Sequence, residues 1–197
     1  MQQHTQLIGI AGGSCSGKTT LVEELIIRLG ESLEVISFDD YFVGTQALEG
    51  LVVDDWESPT LYHMDRFVED LTSLKAGRSV RIACRSRESV ARGISERVVE
   101  PKLFIIVEGF LIFHEPAVRP LFDRKFFTDL PEDEIIRRRL ARIQGTSGWD
   151  DQGYITEKLI PGHRRLVLPQ RELADVVLDG TLTTSLLADR VCDLLST

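Results

Sequence analysis

The chain has 197 residues, of which 43% are hydrophobic and 27% charged, the size and composition of one globular domain with a substantial core. Its net charge of −8 argues against nucleic acid and anionic membranes as partners, and no apolar run approaches the length of a membrane span. Three widely spaced cysteines and a polar first segment predict a cytoplasmic protein without a disulfide framework or zinc site, and leave its oligomeric state open.

The first motif lies between a predicted strand and a predicted helix. Residues 7–11 form an apolar run typical of a buried strand, and residues 20–29 place leucines four apart on one helical face. The segment between them, residues 12–19, fits G-x-x-x-x-G-K-[ST], and we call it the phosphate loop. It comprises Gly12, Gly13, Ser14, Cys15, Ser16, Gly17, Lys18 and Thr19, and we assign it, with Thr20, to a nucleotide. The alternative is a glycine-rich turn that binds no ligand.

Each part of the phosphate loop has a chemical task. Glycines permit the tight turn that points consecutive backbone N–H groups at a phosphate, and the start of a helix favours the anion. Lys18 can reach the β- and γ-phosphates, and the Thr19 hydroxyl can ligate Mg²⁺. The loop therefore predicts a nucleoside triphosphate site, with ATP and Mg²⁺ as cofactors.

The second predicted strand, residues 34–38, ends in two acids, Asp39 and Asp40. Ligands of an open parallel sheet bind beyond the carboxyl ends of its strands, so both acids should lie at the rim near the phosphate loop. The alternative is that the two carboxylates only cap a helix or a turn.

A loop without clear periodicity follows, over residues 43–60. It contains Trp56 and Glu57 in a stretch that mixes carboxylates with an aromatic ring, a composition suited to a polyol but not specific for one. Three further elements are a helix that ends at a glycine, a half-buried strand and an arginine-rich, hairpin-like insertion, at residues 64–74, 79–84 and 85–97.

An acid also ends the next apolar run. Residues 103–107 followed by Glu108 have the pattern of a central parallel strand with a carboxylate at its C-terminal tip. Such a Walker-B-like acid would lie beside the phosphate loop and help to hold hydrated Mg²⁺ or orient a substrate hydroxyl. A salt-bridged or helix-capping glutamate is the alternative.

An arginine-rich helix that runs to about residue 143 follows a short strand at residues 126–128. Its predicted buried stripe is Ile136, Leu140 and Ile143. Arg138 and Arg142 lie four apart on it, with Arg137 and Arg139 beside them. In a phosphate-loop protein this helix favours a phosphate-clamping lid at about residues 137–153, with flexible glycines at its tip, over a solvated helix face.

The remaining elements complete the predicted fold. Residues 155–168 are expected to be helical in part, with Pro161 forcing a break or kink, and residues 175–178 and 185–195 form the last strand and helix. Strands that alternate with helices predict an α/β fold of the P-loop NTPase type. This fold has a parallel sheet covered by helices on both faces, and here also a lid.

Several motifs, taken in order, resemble the uridine kinase family and the related nicotinamide riboside kinases. They are Ser37-Phe38-Asp39-Asp40-Tyr41-Phe42, Val107-Glu108-Gly109-Phe110-Leu111-Ile112-Phe113, Arg137-Arg138-Arg139-Leu140-Ala141-Arg142 and Ala174-Asp175-Val176-Val177-Leu178-Asp179-Gly180-Thr181. The resemblance spans about residues 7–181. It implies a kinase that transfers the γ-phosphoryl group of ATP to a small-molecule substrate, at the 5′-hydroxyl of a ribonucleoside.

The resemblance also implies residue roles. Asp39 matches the aspartate that acts on the 5′-hydroxyl, and Glu108 matches the acid near Mg²⁺. Trp56 and Glu57 fall where relatives have an aromatic residue and an aspartate that binds the ribose diol. The other assignments are Lys18, Arg138 and Arg142 to catalysis, Tyr41 and Arg87 to the substrate, and Asp179 and Thr181 to the nucleotide.

Two departures from the family pattern concern the nucleobase. Ser86-Arg87 lacks the histidine of the uridine kinase His-Ser-Arg, and residues 148–151 are not the usual continuation of the lid in either family. A kinase of pantothenate, a sugar or glycerate on the same scaffold is therefore an alternative. A nucleotide-dependent switch without catalysis is another, although two acids near a hydroxyl, rather than a water-orienting glutamine, favour a kinase.

Overall fold

The computed structural model describes residues 5–44, 57–85, 91–143 and 152–195. Its strands are β1 (Gln6–Gly12), β2 (Leu33–Ser37), β3 (Val80–Ala83), β4 (Glu96–Val99), β5 (Phe104–Gly109), β6 (Arg124–Asp129) and β7 (Val176–Asp179). Its main helices are α1 (Lys18–Leu29), α2 (Met64–Lys75), α3 (Glu132–Ile143) and α4 (Thr184–Leu195). Five strands form a parallel sheet in the order β2-β5-β1-β6-β7.

The alternation of side chains along the strands supplies a buried core on each face of this sheet. On β1, Leu7 and Ala11 belong to one core, Ile8 and Ile10 belong to the other, and all four are fully buried. Helices α1 and α4 cover the Ile8 face, and α2 covers the Leu7 face. The predicted α/β fold with helices on both faces is confirmed.

A hairpin whose two strands bracket most of the arginine-rich insertion, itself expected to be hairpin-like at residues 85–97, forms a sheet separate from the parallel one. Strands β3 and β4 pair antiparallel, with Val80 opposite Val99 and Ala83 opposite Glu96. Val80 and Val99 join the core under α2, and the opposite face of the hairpin carries an exposed ion pair between Arg81 and Glu96 at 2.8 Å. The alternation of residues 79–84 thus marks a two-stranded ribbon with one buried face.

Helix α3 contacts the rest of the molecule along an edge next to the predicted one. Ile135 is 1% exposed and packs with Leu130, Ile155 and Leu159, whereas the predicted stripe is only partly buried. The predicted buried stripe of Ile136, Leu140 and Ile143 is therefore displaced, because the most buried residue of the helix, Ile135, lies one position before it. The helix turns its first apolar residue towards the segment that follows the lid.

That following segment, residues 152–173, is helical throughout, and we call it the π-rich segment. It consists of Gln152–Tyr154 and Ile160–Gly162 in α form, Ile155–Leu159 and His163–Val167 in π form, and Leu168–Leu173 as a 3₁₀ helix. Pro161 has no N–H to donate, and a wider π turn lies on each side of its short α turn. The break expected at Pro161 is therefore a change of hydrogen-bond register within a helix.

The parallel arrangement gathers the C-terminal ends of the strands at one edge of the sheet. The phosphate loop follows β1, Asp39 follows β2, and Glu108 lies on β5 opposite Ser37. No helix of the described residues is long and apolar enough to cross a membrane.

Candidate active site

The phosphate loop turns tightly between β1 and α1. Gly12, Cys15 and Gly17 have positive φ angles of 155°, 59° and 89°. A Cβ on Gly12 would lie 2.1 Å from Thr128 Oγ1, so the loop packs directly on the end of β6. The hydroxyls of Ser16 and Thr128 are hydrogen bonded at 2.7 Å. The loop is thus held where the first backbone N–H groups of α1, which lack helical acceptors, can bind an anion.

Lys18 lies among the charged groups of the site. Its Nζ donates to the Gly13 carbonyl at 2.8 Å, which folds the side chain back onto the phosphate loop. Burial lowers the pKa of Lys18, while the nearby carboxylates of Glu108 and Asp39 act in the opposite direction. The side chain is therefore a cation that can exchange a backbone carbonyl for a phosphate oxygen.

Glu108 lies at the carboxyl end of β5, next to Lys18. Ser37 on the neighbouring strand donates its hydroxyl to Glu108 Oε1 at 2.6 Å. Burial raises the pKa of Glu108, and both the Lys18 charge and the Ser37 hydrogen bond counteract that rise. This position agrees with the Walker-B-like placement predicted from the sequence.

The donor set fits a Mg²⁺ ion held together with phosphates. Thr19 is exposed at the start of α1, and its hydroxyl and the Glu108 carboxylate are oxygen ligands of the type that Mg²⁺ prefers. Within the described ranges, no group of three or more His, Cys, Asp or Glu side chains could hold a metal ion by itself. Mg²⁺ would therefore take its other ligands from water and from phosphate oxygens.

The residues that follow β2 differ in their surroundings. Asp39 is exposed on the side of Lys18. Asp40 is buried and accepts the backbone N–H of Arg85. Tyr41 is 3% exposed, and its hydroxyl donates to Asp70 at 3.2 Å. These contacts make Asp40 and Tyr41 residues of the protein interior. They do not support the prediction that Tyr41 binds substrate.

Glu57 lies on the side of the site that the π-rich segment forms. Tyr154 donates its hydroxyl to Glu57 Oε1 at 3.3 Å, and the Glu57 methylenes rest on Gly162 of the π-rich segment. Tyr62 lies nearby, since burial and the carboxylates of Asp39 and Glu57 raise its pKa. The predicted Glu57 and the unpredicted Tyr62 and Tyr154 therefore lie close together, near Asp39.

The arginines of α3 meet the phosphate loop. Arg138 donates to the Cys15 carbonyl and to the Gly180 carbonyl, both at 3.2 Å. Arg139, which the four-residue spacing of the prediction passed over, donates to the Ser14 hydroxyl at 3.0 Å. Arg142 is exposed on the last turn of α3. Two adjacent arginines of the predicted lid therefore contact the phosphate loop. Arg138 and Arg139 both reach it because they project on either side of the edge of α3 that faces the loop.

The turn after β7 packs on the phosphate loop. A Cβ on Gly180 would lie 2.7 Å from the Asp129 carbonyl and 3.2 Å from the Ser16 carbonyl. Both the backbone N–H and the hydroxyl of Thr181 donate to Asp179 Oδ1, which lowers the pKa of Asp179. The turn is thus near the expected nucleotide, with the Asp179 carboxylate engaged in its own turn.

Two predicted residues and one missed residue complete the inventory. Trp56 and Arg87 lie outside the described residues, and so do residues 144–151 of the predicted lid. His163 is buried against Gly13 of the phosphate loop and was not predicted. Its only sequence signal is its place two residues after Pro161 in a helical stretch.

Sequence comparison places the chain among known kinases. Residues 7–186 match the phosphoribulokinase / uridine kinase family. The chain is 32% identical over 186 residues to a uridine kinase of Chloroflexus aurantiacus, with 91% of this chain and 89% of that protein covered. It is 30% identical over 181 residues to a uridine kinase of Staphylococcus haemolyticus, with coverages of 89% and 87%.

A solved structure supports the same fold. Phosphoribulokinase from Rhodobacter spheroides superposes with a TM-score of 0.64 at 15% identity, over 95% of this chain and 75% of that one. The similarity of the fold and the match over most of the chain confirm the resemblance that the motifs indicated. This chain therefore belongs to the phosphoribulokinase / uridine kinase family of P-loop kinases.

Proposed function

We propose that the chain transfers the γ-phosphoryl group of ATP to a primary hydroxyl of a small molecule, with Mg²⁺ as cofactor. The observation that carries this proposal is the convergence of Asp39, Glu57 and Glu108 on Lys18, where the three carboxylates act against the lowering of the Lys18 pKa by burial. Phosphoryl transfer requires a cation for the phosphates, an acid for the metal ion and an acid for the attacking hydroxyl. Lys18, Glu108 and Asp39 are the candidates for these tasks, and Glu57 is a third carboxylate beside them.

The proposed reaction assigns each group one action. The acceptor hydroxyl oxygen forms a bond to the γ-phosphorus, the bond from that phosphorus to the β–γ bridging oxygen breaks, and ADP leaves. Asp39 orients the hydroxyl and accepts its proton. Lys18, Arg138 and the N–H groups of the phosphate loop stabilise charge on the phosphoryl oxygens. Mg²⁺, held by Thr19 and Glu108, neutralises phosphate charge when bound.

The acceptor that we propose is a ribonucleoside, phosphorylated at its 5′-hydroxyl. Glu57 can accept both hydroxyls of a ribose diol as charge-assisted hydrogen bonds, and Tyr154 and Gly162 hold it beside Asp39. The matching relatives from Chloroflexus aurantiacus and Staphylococcus haemolyticus are named uridine kinases, which supports this acceptor class.

The lid that we propose covers about residues 137–153 of one kinase domain. Its described part is the second half of α3, where Arg138 and Arg139 already contact the phosphate loop. Closure of a lid over both substrates would exclude water, which otherwise competes with the acceptor as the nucleophile.

A screen of ADP release tests the reaction. Purified protein with MgATP is offered uridine, cytidine, nicotinamide riboside, pantothenate and simple sugars, one at a time. We expect ADP release that depends on a ribonucleoside. Slow release that no alcohol accelerates would instead identify a nucleotide-dependent switch, and acceleration by pantothenate or a sugar alone would replace the nucleoside by another alcohol.

The diol tests the role of Glu57. Loss of one ribose hydroxyl leaves part of a buried carboxylate unpaired, at a cost of about 1–3 kcal/mol. A 2′-deoxynucleoside should therefore lose at least about tenfold in kcat/KM, and Glu57→Ala should weaken ribonucleosides much more than ATP. Equal use of ribo- and deoxyribonucleosides would remove Glu57 from the ribose site.

A further inference from the structure

His163 lies between Glu57 and the phosphate loop. It follows Gly162, on which Glu57 rests, and is 5% exposed. A Cβ on Gly13 would lie 2.7 Å from both Nδ1 and Cε1 of His163. The edge of the imidazole that carries Nδ1 is therefore packed against the phosphate loop, in the space that a side chain at Gly13 would fill.

The Nδ1 atom of His163 is buried and has no hydrogen-bond partner in the described part of the chain. A buried polar atom without a partner costs free energy, and such atoms usually find one in some state of a functional site. Since Nδ1 is closed to solvent, a bound phosphate does not reach it either. Its partner must come from the protein, and the phosphate loop packs against the edge of the ring that carries Nδ1.

The Gly13 carbonyl is the backbone group whose donor should change when the site fills. It accepts from Lys18 Nζ at 2.8 Å. Under the proposed function, Lys18 turns to the phosphates of the nucleotide, and the carbonyl loses that donor. We propose that His163 is a positioning residue whose Nδ1–H donates to the Gly13 carbonyl when nucleotide displaces Lys18 from it. This inference rests on the proposed nucleotide site.

Charged groups from each packed element surround the imidazole. Glu132 of α3 and Asp129 of β6 favour its protonated form, whereas Lys18 of α1 and Arg164 of the π-rich segment disfavour it. Burial outweighs the two acids and lowers the pKa of His163. A neutral imidazole still carries one N–H, so the exchange requires the Nδ1–H tautomer and no change of charge.

The consequence for catalysis is a loop that keeps its shape after Lys18 has moved. Without a new donor, the Gly13 carbonyl would keep only the longer hydrogen bond from the Ser16 backbone N–H, at 3.3 Å, or would draw Lys18 away from the phosphates. With His163 as the donor, the nucleotide-bound loop has a hydrogen bond that the free loop lacks. The effect should appear in nucleotide affinity, and the KM of the acceptor should be unaffected.

Nitrogen NMR of ¹⁵N-histidine-labelled protein tests the exchange directly. The chain has four histidines, and the spectrum of His163→Asn identifies the signal of His163. We expect MgADP to convert Nδ1 of His163 to the protonated nitrogen. Lys18→Met should do the same without nucleotide, because it removes the competing donor. An Nδ1 that stays unprotonated when calorimetry shows MgADP bound would overturn the inference, whereas failure to bind MgADP would overturn the proposed nucleotide site.

Three-way comparison of variants gives a second readout. His163→Phe keeps a planar ring without nitrogen and should raise the MgADP Kd and the KM for ATP by about three- to tenfold, with kcat changed less. His163→Asn places an amide N–H at the position of Nδ1 and should recover most of that loss. If His163→Phe folds with an unchanged Tm and binds MgADP like the wild type, the inference is wrong.

Discussion

The backbone N–H of Arg85 donates to Asp40 Oδ1 at 2.9 Å across 45 residues of chain. This hydrogen bond ties the turn after β2 to the end of the β3–β4 hairpin, and it occupies the buried Asp40 carboxylate. Asp39, one residue earlier, is exposed beside Lys18. Two adjacent acids of the same type therefore differ in their surroundings, and we expect them to differ in role.

Asp39→Asn should separate catalysis from folding. The substitution keeps the size of the side chain and removes the proton acceptor, so kcat should fall by about 10²–10⁴-fold with a smaller change in the KM for ATP. Steady-state kinetics with the accepted alcohol measure this, and Tm should equal that of the wild type. Activity within a few-fold of the wild type would move the catalytic role to another residue.

Asp40→Ala should have the opposite profile. It removes a partly buried hydrogen bond from the Arg85 N–H to a charged acceptor, which should lower the free energy of unfolding by about 1.5–3 kcal/mol. Urea denaturation of Asp40→Ala, Asp39→Ala and the wild type gives the comparison. A loss of stability equal in both variants would contradict the assignment of Asp40 to structure and Asp39 to catalysis.

The fold could be predicted from the sequence because its strands and helices carry simple patterns of apolar residues. Leu21 and Leu25 share a helical face, and the apolar runs of β1 and β5 are long enough for strands buried on both sides. Lys18, Asp39 and Glu108 were also accessible from the sequence, since each lies in a loop motif or at the end of such a run. Their meeting follows from parallel topology alone.

The residues that sequence reasoning missed depend on tertiary packing. Tyr154 and His163 reach the site because two π turns around Pro161 set the path of the segment, and no local pattern encodes that register. Arg139 was passed over because four-residue spacing identifies one helical stripe, whereas the phosphate loop contacts two neighbouring ones. Ile135, the deepest residue of α3, was missed for the same reason.

Ser37→Ala should move the acid limb of the pH profile upwards. Glu108 must be ionised to hold Mg²⁺, and its pKa is already raised by burial, so activity is lost on acidification at a higher pH than for an ordinary carboxylate. The Ser37 hydroxyl stabilises the ionised form. Its removal raises the pKa further, so the acid limb of Ser37→Ala should lie at a higher pH than that of the wild type.

The measurement for this prediction is kcat/KM for MgATP against pH. Ser32→Ala is the matched control, because the Ser32 hydroxyl donates to the Leu29 carbonyl at the end of α1 and does not touch Glu108. Its acid limb should coincide with that of the wild type. An unchanged limb in Ser37→Ala would show that Glu108 does not govern activity at low pH.

Alanine substitutions along α3 should rank the arginines. Arg138 bridges the phosphate loop and the turn after β7, so Arg138→Ala should lower kcat/KM for ATP by about 10²-fold or more. Arg142→Ala should cost less, since Arg142 is exposed one turn further on. Arg137→Ala, which removes only a surface ion pair with Glu134, is the control and should cost nothing. A larger loss in Arg142→Ala would reverse the ranking.

Gly162→Ala should damage the acceptor site and spare the nucleotide site. Gly162 has ordinary helical angles, φ −62° and ψ −44°, so alanine is free of backbone strain, and the contact with Glu57 is what opposes a side chain at this position. Its Cβ, however, would lie 2.9 Å from Glu57 Cγ and 3.0 Å from Glu57 Cβ, which forces the Glu57 side chain to move.

A displaced carboxylate fits the ribose diol less well, so the KM of a ribonucleoside should rise by about tenfold while the KM for ATP stays within twofold. The same substitution in a Glu57→Gly background should have little further effect, because both Glu57 atoms that clash, Cβ and Cγ, are gone. Kinetics on the four proteins of this cycle decide the matter: additive losses in acceptor KM would mean that Gly162 acts on the site by a route other than Glu57.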